Sequence, residues 1–252
     1  MRCDAARIEE AALNALQTQQ QLFFDGWLVR LSPGKAKRGR SVNPHFGSSL
    51  PLEAKIERCE RLYASRRLPA LFRITPFAKP GELDDVLAQR GYVAFDRTLV
   101  QVAGVASPPM HNIDAPVAIE EVPIEAFARA AGKLRGSSTV QTDAHLERLA
   151  HSPLAPYAIV ARMDGHIVGC GQLSCEDGIA GVYDMVTAPE WRERGVATAI
   201  VTALLANARE RGATCAFLQV DEHNEPALGV YRKFGFATAY VYHYRGRPGE
   251  CK

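Results

Sequence analysis

The chain has 252 residues, which is enough for two small domains, and its 47% hydrophobic and 23% charged residues are typical of globular proteins. The formal net charge of +2 argues against nucleic-acid binding, because phosphate backbones are bound by concentrated basic faces. The N-terminus is charged, no apolar run reaches the ~20 residues of a membrane span, and the six cysteines lack zinc-site spacing, so we expect a cytoplasmic protein without membrane or metal partners.

The first hundred residues are predicted to alternate helices with strands. Apolar residues recur at helical spacing in some segments and alternate with polar residues in others. The predicted elements are a helix over Asp4–Gln21, a strand over Phe23–Leu31, a helix over Leu52–Arg66, a strand over Leu71–Thr75, a helix over Pro80–Gln89 and a strand over Tyr92–Val102.

A proline-rich stretch then divides the chain. Residues 104–115 contain Pro108 and Pro109 and show no hydrophobic periodicity. Such a composition is typical of a linker. We therefore predict one domain over residues 1–103 and a second over residues 116–252.

Strands and helices also alternate beyond the linker. Asp164-Gly165 marks a hairpin turn between two strands. The predicted elements are strands over Val117–Val122, Tyr157–Met163, Ile167–Ser174, Ile179–Val186, Ala216–Val220 and Phe236–Tyr244, and helices over Pro123–Leu134, Thr142–Ala150, Val196–Arg211 and Glu225–Phe234. This order predicts the α/β class, with a mixed sheet flanked by helices.

The loop before the helix at Val196 has the features of a phosphate site. Its sequence RERGVA spans Arg192–Ala197, and Gly195 has no side chain to keep a ligand from the backbone. The first amides of a helix lack intrahelical partners and carry the positive end of its dipole, so they bind anions. An isolated loop of this kind is more often a plain turn, and a second block of sequence is needed to favour the phosphate site.

Two blocks together resemble the signatures of the GNAT superfamily of N-acetyltransferases. VTAPEWRERGVATAIVTALL, ending at Leu205, resembles the superfamily's R/Q-x-x-G-x-G/A signature. LQVDEHNEPALGVYRKFGF, from Leu218 to Phe236, resembles its second signature of a strand, an Asn-x-x-Ala step, a tyrosine and Gly-Phe. The resemblance covers about half of the chain, from Val117 to Arg245.

The resemblance implies that acetyl-CoA is the cosubstrate and lies in a slot where two strands of the sheet separate. Pantetheine would pair with the backbone of the strand that ends at Thr187, and the pyrophosphate would lie on the amides at the start of the following helix. The implied cofactor-binding residues are Val186, Thr187, Arg192, Arg194, Gly195, Val196, Ala197, Thr198 and Asn224.

The resemblance also implies a general acid. Tyr231 matches the tyrosine that protonates the departing CoA thiolate, although a core position beside Leu228 and Phe234 is the alternative for this side chain. A phenol keeps its proton at neutral pH, because its ordinary pKa is ~10, and it can therefore donate to a thiolate.

The general base stays open. Gly181 occupies the position at which members of the superfamily frequently carry an acid. Asp184 is the nearest carboxylate of that strand and is the catalytic candidate, although strand alternation can point it away from the slot. Glu176, Glu222 and His223 are further candidates, each compatible with an exposed loop residue.

The first half of the chain resembles a degenerate copy of the second half. The strand–helix–glycine–strand unit around Gly91 is similar to the unit around Gly235, but Leu87 stands where Tyr231 stands. No Arg-x-x-Gly-x-Ala step precedes the helix over Leu52–Arg66. Chance similarity is the alternative to duplication. We predict tandem GNAT-like lobes, each a mixed, largely antiparallel sheet flanked by helices, of which the N-terminal lobe is degenerate and binds no acetyl-CoA.

The predicted activity is therefore transfer of acetyl from acetyl-CoA to a primary amine by direct attack in a ternary complex. The alternatives are a regulatory module that binds CoA or acyl-CoA without turnover, and a transferase for another acyl group. The sequence leaves the acceptor open as a small-molecule or peptide amine, and the protein as a monomer or homodimer. Trp27, Arg30 and Arg73 are candidates for contact with the acceptor, with interface packing as the alternative for Trp27.

Overall fold

The computed structural model describes residues 4–18, 20–32, 36–105 and 117–251. The helices in these ranges are α1 (Ala5–Ala15), α2 (Leu52–Ser65), α3 (Leu83–Gln89), α4 (Ile124–Leu134), α5 (Thr139–Ala150), α6 (Val196–Glu210) and α7 (Glu225–Lys233). The strands are β1 (Gln21–Phe24), β2 (Trp27–Arg30), β3 (Val42–Pro44), β4 (Phe72–Ile74), β5 (Val93–Gly104), β6 (Ala118–Glu121), β7 (Tyr157–Met163), β8 (His166–Glu176), β9 (Ile179–Thr187), β10 (Cys215–Asp221) and β11 (Ala237–Gly246).

The chain forms two compact units, and each is discontinuous in sequence. The first unit comprises Met1–Gln17 and Val100–Ala239, and the second comprises Thr18–Leu99 and Tyr240–Lys252. The sequence places a single division at residues 104–115, most of which lie outside the described residues. The two units do not correspond to one cut in the chain. Helix α1 belongs to the unit formed mainly by the second half, and the end of β11 belongs to the unit formed mainly by the first half.

The first unit contains a mixed, largely antiparallel sheet with the strand order β10–β9–β8–β7–β6. The pairs β6–β7, β7–β8 and β8–β9 are antiparallel, and β9–β10 is parallel. Helix α4 packs on β7 and β8 through an apolar cluster that includes Phe127, Ala131, Val160 and Cys170. Helices flanking a mixed sheet confirm the predicted fold class.

The second unit contains the strand order β1–β2–β3–β4–β11. Its core joins Trp27, Ile56, Tyr63, Phe72 and Leu83, all of which are fully buried. The pairs β1–β2, β2–β3 and β4–β11 are antiparallel, whereas β3–β4 is parallel. The second unit is therefore also a mixed sheet with helices.

The single strand predicted over Phe23–Leu31 is wrong. A turn at Asp25 and Gly26, with φ angles of 43° and 82°, divides it into the hairpin β1–β2. Asp-Gly is a strong hairpin signal, because both central residues of this turn need positive φ. Apolar residues lie on both sides of this turn, and the Asp25-Gly26 pair, not their periodicity, is the signal that divides the segment.

The residues suggested for acceptor contact in this unit are buried. Trp27 is 0% exposed, and its indole Nε1 donates to the Lys79 carbonyl at 2.8 Å. Arg30 and Arg73 are 2% and 1% exposed, and the Arg73 guanidinium lies 3.9 Å from the centre of the Tyr242 ring. These contacts place Trp27 in the core. They leave little accessible surface on Arg30 and Arg73 for contact with an acceptor.

None of the described helices combines the length and the apolar character that crossing a membrane would require.

Candidate functional site

Two neighbouring strands of the first unit separate towards their C-terminal ends. The parallel pairing of β9 with β10 runs from Ile179 and Cys215 to Val182 and Leu218. Beyond that pair β9 continues to Thr187 and β10 to Asp221. The slot predicted between the strands that end near Thr187 and Val220 therefore lies beyond the last pair in the register.

A bulge in β9 accompanies this separation. Cys170 of β8 is opposite Val186, but Gln172 is opposite Tyr183, so that Asp184 and Met185 together face one residue of β8. Asp184 has a φ of 54°, a left-handed conformation that aspartate tolerates better than most residues. Such a bulge bends its strand and redirects the residues that follow.

Glycines of β8 let α6 lie close to this bend. A Cβ added at Gly169 would lie 2.8 Å from Cγ1 of Val196, the first residue of α6. A Cβ added at Gly171 would lie 2.7 Å both from Ile200 Cγ2 and from Met185 Sδ. These two glycines were missed in the sequence, although their alternate positions on one predicted strand indicated one glycine-lined face.

The start of α6 has the geometry expected of an anion site. Gly195 is its N-cap residue in the left-handed conformation, with a φ of 78°. The Ala199 amide donates to the Gly195 carbonyl at 2.9 Å, which makes it the first α-helical bond of α6. The amides of Val196, Ala197 and Thr198 precede that bond and have no acceptor within the helix.

A cleft of ≈ 840 Å³ joins these elements. Of the predicted site residues, it is lined by Val186, Thr187, Arg192, Gly195, Val196, Ala197, Thr198, Asn224 and Tyr231. Lining residues that sequence reasoning missed are Met185, Trp191, Glu193, Pro226, Ala227, Gly229, Val230 and Lys233. Asp184 and Arg194 are not among the described residues that line it.

Arg194 lies against an aromatic side chain of the same loop. Its guanidinium carbon is 4.9 Å from the centre of the ring of Trp191, which lines the cleft. A cation–π contact of this kind holds a guanidinium by its flat face and leaves its edge for hydrogen bonds. The sequence places both residues in the same loop but does not by itself predict their contact.

Helix α7 brings Asn224 and Tyr231 to the other side of the cleft. Asn224 is the N-cap residue, and its Oδ1 accepts from the Ala227 amide at 3.3 Å. Tyr231 lies two turns further on, 7% exposed, with its ring centre 5.9 Å from that of Phe236. Asn224 thus fixes the start of the helix that carries Tyr231, a role the sequence did not reveal.

Tyr231 keeps its proton over the whole neutral range. Burial disfavours the charged phenolate and raises the pKa of Tyr231 to about 12. The side chain lines the cleft and also contacts Phe236, so the core position considered from the sequence does not keep Tyr231 out of the cleft. The hydroxyl can therefore donate a proton to a group in the cleft.

Asp184 is held by a cluster of donors outside the cleft. Its carboxylate is 2.9 Å from both Arg135 and His145, 3.6 Å from Arg148 and 2.6 Å from Gln172. Burial disfavours the charged form, but the hydrogen bond with His145 and the charges of Arg148 and Arg135 outweigh burial and hold the pKa of Asp184 well below its usual value. A carboxylate with these partners is a poor proton acceptor, which weighs against Asp184 as the general base.

The other candidates for the base differ in their surroundings. Glu176 accepts from the Asn14 amide at 2.8 Å. The side chain of His223 is 86% exposed and lies 3.6 Å from Glu222. At Gly181 an added Cβ would lie 2.4 Å from the Tyr183 hydroxyl, so the Tyr183 ring occupies the space of a side chain there. None of these positions identifies the base.

Comparison with known proteins identifies the family of this part of the chain. Residues 124–236 match the model of the acetyltransferase (GNAT) family. The uncharacterized N-acetyltransferase YobR of Bacillus subtilis (strain 168) is 27% identical over 245 residues, which cover 96% of this chain and 98% of YobR.

Two solved structures show the same fold. A GCN5-related N-acetyltransferase from Kribbella flavida superposes with a TM-score of 0.74 at 21% identity, covering 99% of this chain and 97% of the other. A tandem GNAT protein from the clavulanic acid biosynthesis pathway superposes with a TM-score of 0.60 at 15% identity, covering 77% of this chain and 68% of the other. The strand–loop–helix units that build the cleft lie inside the matched family region, and this chain carries a GNAT acetyltransferase domain over residues 124–236.

Proposed function

We propose that the first unit transfers an acetyl group from acetyl-CoA to a primary amine of an acceptor that is still to be identified. The observation that carries this proposal is a cleft in which the N-terminus of α6, the end of β9 and Tyr231 meet. The family match over residues 124–236 supports an acetyltransferase.

The residues that line the cleft fit the parts of acetyl-CoA. The amides of Val196, Ala197 and Thr198 suit a pyrophosphate, because the first N–H groups of α6 form the positive end of the helix dipole. Arg192 and Arg194 are placed in the loop before them and can add charge-assisted hydrogen bonds. The backbone of Val186 and Thr187, beyond the last β9–β10 pair, suits the amides of pantetheine.

Direct transfer in a ternary complex requires little covalent chemistry of the protein. The neutral amine attacks the thioester carbonyl carbon, and the tetrahedral intermediate collapses as the carbon–sulfur bond breaks. The sulfur leaves with the electron pair of that bond and takes the proton of the Tyr231 hydroxyl. The nitrogen loses its extra proton to a base or to water, so that amide, CoA thiol, protonated base and the Tyr231 phenolate result. The phenolate then recovers a proton from the protonated base or from water, which restores the enzyme.

Burial influences both partners of the proton transfer to sulfur. An unperturbed thiol has a pKa of ~8.5, and donation from a phenol with a pKa of about 12 to a solvated thiolate would be uphill. The same desolvation also raises the pKa of a thiol. We therefore expect the proton to move while the carbon–sulfur bond breaks, before a free thiolate forms.

One observation favours a second candidate function, a module that binds CoA or acyl-CoA without turnover. The Tyr183 ring covers Gly181, and the carboxylate of Asp184 is fully engaged by its donors. No general base is assigned as a result. A screen of primary amines with release of CoA thiol as the readout separates the two functions, because only the transferase releases thiol.

Isothermal calorimetry of acetyl-CoA tests the site itself. Gly195→Glu places a carboxylate at the phosphate position, and we expect it to weaken binding by about 100-fold or more, since the anion meets like charge and the backbone amides are blocked. Binding to wild-type protein should be measurable at one site per chain.

Gly212→Glu is the matched control for that measurement. Gly212 has the same φ of 78° at the opposite end of α6, and an added Cβ there meets no atom within 4 Å. Both substitutions add the same charge and strain, and only the one at Gly195 should weaken binding by about 100-fold or more. Equal loss in both variants, or no binding to wild-type protein, would overturn the proposed site.

A further inference from the structure

We propose that Asp184 is a positioning residue, whose clamped carboxylate holds the bulge of β9 and so sets the backbone of Met185–Thr187 along the cleft. This inference deepens the proposed function and rests on it for its consequence on acetyl-CoA binding. It concerns a cluster outside the cleft, made of Arg135, His145, Arg148, Gln172 and Asp184, which we call the Asp184 cluster.

The first step is the place of Asp184 in the chain. Asp184 is the bulged residue with the positive φ, and the next three residues, Met185, Val186 and Thr187, all line the cleft. A change in the backbone at Asp184 moves these three together, because a bulge re-aims the strand that follows it. The conformation of one residue outside the cleft thus decides where its wall lies.

The second step is that the carboxylate is tied to several elements at once. Arg135 follows the end of α4, His145 and Arg148 are on α5, and Gln172 is on the neighbouring strand β8. The Asp184 side chain is 14% exposed and that of His145 is 9% exposed, so water screens these contacts weakly. Breaking one side of a buried ion pair is costly, because it leaves the partner's charge uncompensated.

The third step is that α4 and α5 form a stiff support. An added Cβ at Gly132 of α4 would lie 2.5 Å from Oγ1 of Thr142 on α5, so the two helices cross in close contact. Ser138 and Gln141 form a capping box at the start of α5, which fixes the short connection between the helices. The cluster therefore joins a packed helix pair, rather than mobile side chains, to the bulge.

The fourth step separates this role from proton transfer. A general base must reach the reacting amine and take its proton, whereas the Asp184 carboxylate lies outside the described lining and accepts from cationic and amide donors on both oxygens. Holding the bulge needs the charge of Asp184 but no change in its protonation. Neutralising Asp184 should therefore change the shape of the cleft and lower the affinity for acetyl-CoA. The rate of the chemical step should stay close to that of the wild type.

Asp184→Asn tests the inference, since it keeps the size of the side chain and removes the charge. In the free protein, we expect amide hydrogen exchange of the peptide covering Met185–Thr187 to become about 10-fold faster, because the bulge opens more often. For acetyl-CoA, we expect the Kd measured by calorimetry to rise about 10- to 100-fold, with kcat at saturating acetyl-CoA within about threefold of wild type.

Glu120→Gln is the matched control. Glu120 forms an ion pair with Arg162 at 2.6 Å in the same unit, but its side chain is 51% exposed, and the pair lies on β6 and β7 away from the cleft. It removes one carboxylate charge in the same way, and exchange at Met185–Thr187, Kd and kcat should all stay as in wild type. Peptides from β7 report on any general loss of stability.

The outcomes are distinct. A fall in kcat of about 100-fold or more with unchanged exchange and Kd would assign Asp184 to the chemistry and overturn the inference. Unchanged exchange at Met185–Thr187 would also overturn it, whether or not acetyl-CoA binds. If wild-type protein binds no acetyl-CoA, the proposed function fails, while the exchange measurement still decides whether Asp184 holds the bulge.

Should Asp184→Asn fail to fold, Arg135→Gln is the second variant, because it removes one donor of the cluster. It should also speed amide exchange at Met185–Thr187 and raise the Kd for acetyl-CoA, but by smaller factors.

Discussion

At the scale of single residues, Tyr231 combines a packing position with the general-acid role that we propose for it. It contacts Phe236 and is nearly buried, yet it lines the cleft. Burial is what raises its pKa, so the packing position itself guarantees that the hydroxyl carries a proton. The two interpretations of this residue from the sequence were thus not exclusive.

Tyr231→Phe should keep the ring contact and remove the proton donor. We expect kcat to fall about 100-fold while the Kd for acetyl-CoA changes little, because the hydroxyl acts mainly on the leaving sulfur. Thiol release gives kcat and calorimetry gives Kd. Since the pKa of Tyr231 is about 12, the wild-type rate should not decline through its ionisation below about pH 10.

Tyr157→Phe is the matched control for this change. Tyr157 is on β7 of the same unit, and its ring faces the Arg211 guanidinium, a contact that phenylalanine can keep. Its loss of a hydroxyl should leave kcat as in wild type. A Tyr231→Phe variant as active as Tyr157→Phe would remove Tyr231 from the mechanism.

At the scale of elements, the contact between α6 and β8 sets the position of the proposed anion site. Gly169 and Gly171 remove side chains where Val196 and Ile200 come close to the strand. Close packing of helix on strand brings the first amides of α6 next to the bent end of β9. The signature in the sequence describes the loop, but the position of the loop depends on these glycines.

Gly171→Ala should displace this contact. The new Cβ would lie 2.7 Å from Met185 Sδ and from Ile200 Cγ2, so we expect a loss of stability of about 1–3 kcal/mol and weaker binding of acetyl-CoA. Urea unfolding measures the first and calorimetry the second.

Gly104→Ala is the comparison for that variant, because an added Cβ at Gly104, on β5, meets no atom within 4 Å. Its stability should change by less than about 1 kcal/mol. If both alanine variants behave alike, the close approach of α6 to β8 is not what places the site.

At the scale of the whole molecule, the second unit differs from the first at the loop before its helix. The Asp25 carboxylate accepts from the amides of Ser49 and Leu50, each at 3.0 Å, and from the Ser49 hydroxyl at 2.7 Å. Backbone hydrogen bonds from Leu50 and Ser49 hold the pKa of Asp25 well below its usual value. In the second unit, the Asp25 side chain thus accepts hydrogen bonds from the amides just before α2. In the first unit, the N-terminus of α6 instead lines the cleft.

We therefore expect one acetyl-CoA per chain, bound by the first unit. Calorimetry of wild-type protein should give a stoichiometry near one, and Gly195→Glu should leave no second site. Asp25→Asn should weaken the loop of the second unit without creating a site, which amide exchange at Ser49 and Leu50 and a repeat titration would measure. Two sites in wild-type protein would contradict the predicted degeneracy of the N-terminal lobe.

Patterns in the sequence predict the mixed fold, the loop with Gly195, the helix with Tyr231 and about half of the described residues that line the cleft. These features are local, because helical periodicity, strand alternation, N-caps and glycine-bearing loops depend on residues within about one or two turns of each other.

Contacts between residues far apart in the sequence become visible in the folded chain alone. Asp184 finds Arg135 and His145 across 49 and 39 positions of the chain, and no local pattern marks such partners. The two units are discontinuous for the same reason. Helix α1 and the end of β11 pack with segments that are far from them in the sequence. Long-range contacts depend on the summed packing of many side chains, whereas a motif depends on a few neighbours. This is why the glycine-bearing loop before α6 could be predicted from the sequence and the Asp184 cluster could not.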